Sequence, residues 1–247
     1  MLVREYREIT KITSTELEHV WSNIKEYSII IGGWAAHLLT NNTFKEWKGI
    51  DYIGSKDIDL AIRATNLNIV TGRLIRIGYT PLNFRFFKIY HRETKRPLSI
   101  EESNKYPIYE LFYLFVDLIL DQKVKKEATF FSDPLIKFVL DNELWLNIGK
   151  FKVIRPEPLL LTKLKIINQR EQEKRIKDIL DSLFIASLSP LQITLYKELK
   201  ELYPIPEENR KTALKILRQR QIDLELADLR LTKPEINNLK TALTSLI

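Results

Sequence analysis

Apolar positions along the chain change their rhythm near residue 155. Before it, short β-branched and aromatic runs alternate with helical stretches; after it, almost everything repeats with a helical period. Residues 14–26 (STELEHVWSNIKE) space their apolar side chains as a helix does, with Ser14 placed as N-cap and Glu16 and Leu17 opening the first turn. The run 28–31 (SIII) is β-branched and too short for a helix, so a strand is expected. Gly32-Gly33 follow at once, and 34–40 (WAAHLLT) has helical composition, giving the order strand, glycine turn, helix. Residues 41–56 are polar and predict a loop. Residues 57–63 (DIDLAIR) alternate polar and apolar, the signature of a strand. A helix is expected over 66–78, strands over 79–92 and 108–120, and a hairpin over 143–155 that turns near Asn147-Ile148-Gly149. Pro156-Glu157-Pro158 then punctuates the chain, and helices are expected over 158–170, 172–187, 190–202, 206–219 and 233–246. The pattern predicts an α+β fold, with an α/β domain over 1–155 and a helical domain over 156–247.

Composition narrows the chemistry. The 247 residues contain no Cys, which excludes disulfides, thiolate metal sites and cysteine nucleophiles, and fits a cytoplasmic setting. The first twenty residues carry too many charges for a signal peptide. No run approaches the ~18 apolar residues of a membrane span. Net charge is +7, with +4 in residues 1–155 and +3 in the remainder, so the excess is spread and no basic tail exists. Such a surplus suits anionic partners, nucleotides or nucleic acid, or else a solvated surface. Few Gly, one Met, no Cys and many Ile, Lys and Glu point to a thermophile.

Three features of the first half carry candidate chemistry. Gly32-Gly33 lies between a strand and a helix, where glycines let backbone N–H groups approach an anion beside a positive helix terminus; a tight turn alone also explains the pair. Asp57 and Asp59 sit at i and i+2, hence on one face of a strand. Two carboxylates side by side repel unless a cation lies between them, and hard oxygen donors favour Mg²⁺; an edge strand with both acids in water is the alternative. Asp117 interrupts the apolar run 114–119 (LFVDLI), where an unpaired charge is costly, so it should meet a cation or a proton donor, or else reach solvent at a strand end. Asp121 shares its face but has less apolar flanks.

Gly32-Gly33, then Ser55-Lys56-Asp57-Ile58-Asp59, then Val116-Asp117-Leu118 resembles the nucleotidyltransferase superfamily with a DNA-polymerase-β-like palm. The stretch from Leu159 through Lys163 and Lys165 to Arg170, followed by 175–183 (RIKDILDSL), is similar to the Lys-Leu, Arg and Lys-Asp run of AbiEii/MenT-type toxin nucleotidyltransferases. The matched segments span roughly residues 28–183.

The resemblance implies a mixed-sheet palm and transfer of a nucleoside monophosphate from an NTP to an acceptor hydroxyl. It implies Mg²⁺ held by Asp57, Asp59 and Asp117, with Asp117 also the general base. Gly32, Gly33, Ser55 and Lys56 would bind the phosphates, and Lys163 and Asp178 would complete the nucleotide site. The acceptor would be RNA (such as a tRNA end) or protein, in the manner of a toxin with a cognate antitoxin. Asp178 and Asp181 share one helix face, which suits a site or a solvated surface equally.

Two departures bear on this. Ile53 stands where several relatives carry an Arg, and Gly-Gly-Trp-Ala at 32–35 also resembles antibiotic nucleotidyltransferases. A small-molecule transferase and a non-catalytic protein of the same fold are therefore the competing expectations. Among the remaining candidates, His37 suits a packed or a nucleotide-facing role. His91 has no metal-ligand spacing to another His, and the four Trp are scattered. Phe84, Phe86, Phe87 and Tyr90 are interleaved with Arg85, Lys88 and Arg92, a pattern that fits base stacking or a sheet with one buried face. The basic helix over 210–220 fits phosphate contact or a soluble surface.

Overall fold

The computed structural model describes residues 2–124 and 130–247. Strands β1 (Ser28–Ile31), β2 (Ile58–Ile62), β3 (Thr80–Leu82), β4 (Arg85–His91), β5 (Pro97–Leu98), β6 (Leu111–Leu120), β7 (Phe131–Ser132), β8 (Trp145–Ile148) and β9 (Phe151–Ile154) form one mixed sheet. Its main path runs β3-β4-β6-β2-β1-β9-β8, with β5 on β4 and β7 on β6. Helices α1 (Leu2–Ile24), α2 (Gly32–Lys48), α3 (Leu67–Arg76), α4 (Ile100–Ser103) and α5 (Pro134–Asp141) belong to this part. Six more follow: α6 (Pro156–Lys165), α7 (Gln172–Leu188), α8 (Ile193–Leu202), α9 (Glu207–Leu217), α10 (Arg220–Asp228) and α11 (Lys233–Thr244). The protein is mixed α and β, with a mixed sheet and a helical C-terminal part. Among the described residues no helix is long and apolar enough to cross a membrane.

Period-two burial explains the central strand β6. Phe112, Leu114, Val116, Leu118 and Leu120 are buried in the main core, while Tyr113, Phe115, Asp117 and Ile119 stay half-open. β2 is parallel to β6 and antiparallel to β1, and its apolar residues are buried on both sides of Asp59. One continuous cluster of buried residues includes Ile30 and Leu60 of the sheet together with Leu160, Ile179 and Leu226 of the later helices. The N-terminus is tied to the far end of the chain: Glu225, 2% exposed, accepts the backbone N–H groups of Leu2 and Val3 at 3.1 and 3.0 Å. A carboxylate there satisfies orphan donors of α1 and meets the positive end of its dipole.

Several boundaries differ from the sequence expectation. Ser14 is no N-cap; it lies inside α1, which starts twelve residues earlier, and its hydroxyl donates back to the Lys11 carbonyl at 3.1 Å. The apolar face of α1 runs through Tyr6, Ile9 and Ile12, so burial extends the helix past the local capping signal. Residues 41–48 are helix and not loop, because Phe44 anchors an otherwise polar stretch to the core until Gly49 ends it in the left-handed conformation (φ 68°). The stretch 79–92 is a hairpin that turns at Asn83 (φ 54°), and 108–110 is a short 3-10 turn before β6. α6 stops at Lys165, and α10 had no signal strong enough to predict it.

Replacing Glu225 by Ala leaves two buried N–H groups without a partner and should cost about 1–3 kcal/mol in urea unfolding. Glu225→Gln keeps an acceptor oxygen and should recover part of that loss.

Candidate active site

The site is built on one row of the sheet. Register pairs Ile31 with Asp59, Asp59 with Asp117, and Asp117 with Arg85, across β1, β2, β6 and β4. Residues paired in this way project to the same face. Asp59, Asp117 and Arg85 therefore stand side by side, and the chain leaves Ile31 directly into Gly32.

Both glycines are required by close approach. Gly32 has φ 65°, and a Cβ there would lie 2.0 Å from Asp59 Oδ2. A Cβ on Gly33 would lie 2.6 Å from Ser55 Oγ. The two glycines form the first turn of α2 instead of a separate turn before it, and no side chain caps that helix. The helix therefore starts beside Asp59 and Ser55, with the positive end of its dipole there. Asp59, Ser55 and the glycine pair, distant in sequence, come together here.

Charge in the row is only partly balanced. Arg85 grips Asp117 with two bonds, Nε to Oδ1 at 2.7 Å and Nη2 to Oδ2 at 3.0 Å, and lies 3.5 Å from Asp57. Lys174 of α7 reaches Asp57 Oδ2 at 3.2 Å. Asp59 has no hydrogen-bond or ion-pair partner among the described residues. Burial, reinforced by the charges of Asp117 and Asp57, pushes its carboxyl up to about 6. Burial also raises Asp117, against the lowering effect of Arg85. Asp121 is not part of the row; it lies past the end of β6 and accepts the Ala64 N–H at 2.8 Å.

Lys163 and Asp178 are brought together, but with each other. Lys163 of α6 is buried and donates to Asp178 Oδ1 and Asp181 Oδ2 of α7, both at 2.8 Å. Asp181 also accepts from Lys177 at 2.5 Å and from the Tyr52 hydroxyl at 2.7 Å. These carboxylates hold the Lys163 ammonium well above its usual range, despite burial. Burial lowers Lys177. The charges of Lys163 and Arg170 are felt at Asp59 and partly offset its burial. Lys56 is salt-bridged to Glu5 at 2.9 Å and Glu173 at 2.6 Å.

The donor set fits a hard divalent cation in kind: three carboxylates, one of them with no counter-charge. Among the described residues, however, no three acidic or histidine side chains stand close enough to hold an ion as arranged. Arg85 and Lys174 neutralise Asp57 and Asp117 in this state.

His37, His91, Ile53 and Arg210 are not members of this row. Trp34 is buried against His37 (5.1 Å between ring centroids), and burial lowers His37 to about 4, so it is neutral. His91 packs on Tyr106, and Ile53 is buried. Arg210 pairs with Glu207 at 3.1 Å on the exposed face of α9.

Arg85 appeared in the sequence only within the aromatic and basic run, and Lys174 gave no signal. A match of strand registers would have been needed to place either one. Tyr52 and Lys177 were equally invisible, since both act through the packing of α7.

No family model and no curated protein sequence matches the chain. Among solved structures it is similar to an antigenic nucleotidyltransferase-like protein from Paracoccidioides brasiliensis. That likeness has 17% identity and a TM-score of 0.42, and covers 96% of this chain and 93% of the other.

Two outcomes check this electrostatic picture. The folded state holds the Asp59 proton up to about pH 6, against 3.8 ordinarily, so ionising Asp59 costs stability as pH rises between those values. Without divalent ions, the stability of Asp59→Asn relative to the unsubstituted protein should therefore grow from pH 4 to above 6 and then level off, read by thermal melts. Lys163→Met removes the buried cation that Asp178 and Asp181 share and should cost about 3–5 kcal/mol in chemical unfolding.

Proposed function

We propose that the chain is a nucleotidyltransferase of the DNA-polymerase-β-like superfamily, moving a nucleoside monophosphate from an NTP to an acceptor hydroxyl. One observation carries this: Asp59 stands without a counter-charge against the Gly32-Gly33 turn, in register with Asp117 and two residues from Asp57. An anionic triphosphate beside three carboxylates calls for a cation, and an uncapped helix start calls for an anion.

In the proposed reaction the acceptor oxygen attacks the α-phosphorus, the bond from that phosphorus to the α–β bridging oxygen breaks, and pyrophosphate leaves. Asp57, Asp59 and Asp117 would hold Mg²⁺, which when bound neutralises charge on the attacking and leaving oxygens. Asp117 takes the acceptor proton. The Gly33 N–H and Ser55 Oγ bind the outer phosphates. Lys163, fixed between Asp178 and Asp181, supplies a stationary positive charge near Asp59. Lys56 serves the phosphates only if it leaves Glu5 and Glu173. The basic surplus suits RNA as the acceptor, with protein the alternative. A toxin role with an antitoxin partner goes with the similarity of residues 159–183 to AbiEii/MenT-type sequences.

The clamp of Arg85 on Asp117 favours one other reading, a non-catalytic relative in which Arg85 permanently takes the place of an ion.

Transfer of labelled NTP with Mg²⁺, tried on total tRNA, protein and small molecules, separates these. Asp57→Asn and Asp59→Asn should fold normally and lose about a thousandfold or more in rate. Wild-type transfer by either variant would remove the acids from the mechanism, and no transfer by the unsubstituted chain would favour the non-catalytic protein.

A further inference from the structure

Two cations hold the oxygens that the carboxylate row would offer an ion. Arg85 engages both oxygens of Asp117, at 2.7 and 3.0 Å, and its Nη2 lies 3.5 Å from Asp57 Oδ2. Lys174 donates to that same Asp57 oxygen at 3.2 Å. An ion shared by Asp57 and Asp117 must therefore take those oxygens from Arg85 and Lys174, since cations crowded onto the same carboxylates repel one another. Lys163 is different: it is 4% exposed and fixed between Asp178 and Asp181. Lys174 stands in the first turn of α7 with 40% of its side chain exposed. Arg85 begins β4, and its guanidinium lies over the Phe115 ring at 4.0 Å, a second favourable contact besides Asp117. A cleft of about 300 Å³ beside Asp57, lined by both side chains, gives them room to move.

Charge decides what releases them. The row sets three acids against two cations. A bare divalent ion would make it net positive and leave Arg85 and Lys174 beside an ion of their own sign. An ion that arrives with a polyphosphate brings the anion that both side chains need, and the Arg fork fits phosphate oxygens as it fits a carboxylate. We propose that Arg85 and Lys174 form a displaceable lock on the carboxylate row: they keep a bare divalent ion off Asp57 and Asp117, and on release they bind the phosphates of the incoming nucleotide. The handover to phosphate rests on the transferase reading; the exclusion of the bare ion does not.

Ion binding is measured on the full chain without NTP, by the loss of the free Mn²⁺ paramagnetic resonance signal; Mn²⁺ stands in for Mg²⁺ at hard oxygen donors. Arg85→Gln should tighten Mn²⁺ about tenfold or more. Arg85→Lys keeps the charge but loses the fork, and should fall between. Adding Asp59→Asn to Arg85→Gln should abolish the gain. Arg92 lines the same cleft, bonds to the Leu111 carbonyl and meets no carboxylate among the described residues. Arg92→Gln removes an equal charge and should change Mn²⁺ affinity less than about twofold. Because Arg85 is partly buried, Lys174→Gln gives a second reading at a more exposed side chain and should tighten Mn²⁺ about threefold or more. In the labelled-NTP assay Arg85→Gln and Lys174→Gln should move the other way, with KM for NTP raised about tenfold.

Unchanged or weaker Mn²⁺ binding by either folded variant would overturn the lock. So would a gain that survives Asp59→Asn, or an equal gain from Arg92→Gln, which would reduce the effect to overall charge. Tighter Mn²⁺ with an unchanged KM would keep the lock and remove the handover. Tighter Mn²⁺ with no transfer by the unsubstituted chain would remove the transferase and leave the lock standing.

Discussion

Three carboxylates meet where the start of β2 lies beside the interior of β6, and the rest of the site is organised around their repulsion. Pairing β2 parallel to β6 sets Asp59 against Asp117, and the same row continues to Arg85. Like charges this close and this dry cannot all ionise without help. Arg85 and Lys174 balance Asp57 and Asp117, whereas Asp59 is left to hold its proton up to about pH 6. The unbalanced acid is the one pressed against Gly32, where the backbone leaves no room for a side chain.

A second cluster of charge holds the helical part in place. Lys163, Asp178, Asp181, Lys177 and the Tyr52 hydroxyl form a hydrogen-bonded network with little access to water, linking α6 and α7 to the loop before β2. Buried charges of this kind add little net stability against an apolar core, yet removing one member strands the others. The network therefore fixes how α6 and α7 meet the loop at Tyr52 more than it strengthens the fold. Residue 155 is a change of texture, and the packing continues across it: α2 sits directly on α7 within one core.

Arg85 serves two neighbours at once. Its guanidinium lies over Phe115 and grips Asp117, so the aromatic face of β6 and the acidic row meet at a single side chain.

Much of this was legible in the residues alone. Polar–apolar alternation marked β2, aromatic and β-branched composition marked β6, the glycine pair marked the passage from β1 to α2, and acids in apolar strands marked themselves, because burying an unpaired charge is costly enough to be noticed one residue at a time. The helix starts of α1 and the end of α2 were not legible, since Tyr6, Ile9 and Phe44 hold those stretches helical through contacts with distant core residues that outweigh local caps. The partners were hidden for a related reason. That Arg85 meets Asp117, that Lys174 meets Asp57, and that Lys163 spends its charge on Asp178 and Asp181 depends on strand register and helix packing. The sequence determined which side chains need a counter-charge; only the folded chain decided which cation answers each one, because Coulomb attraction acts over a few ångströms in space and takes no account of separation along the chain.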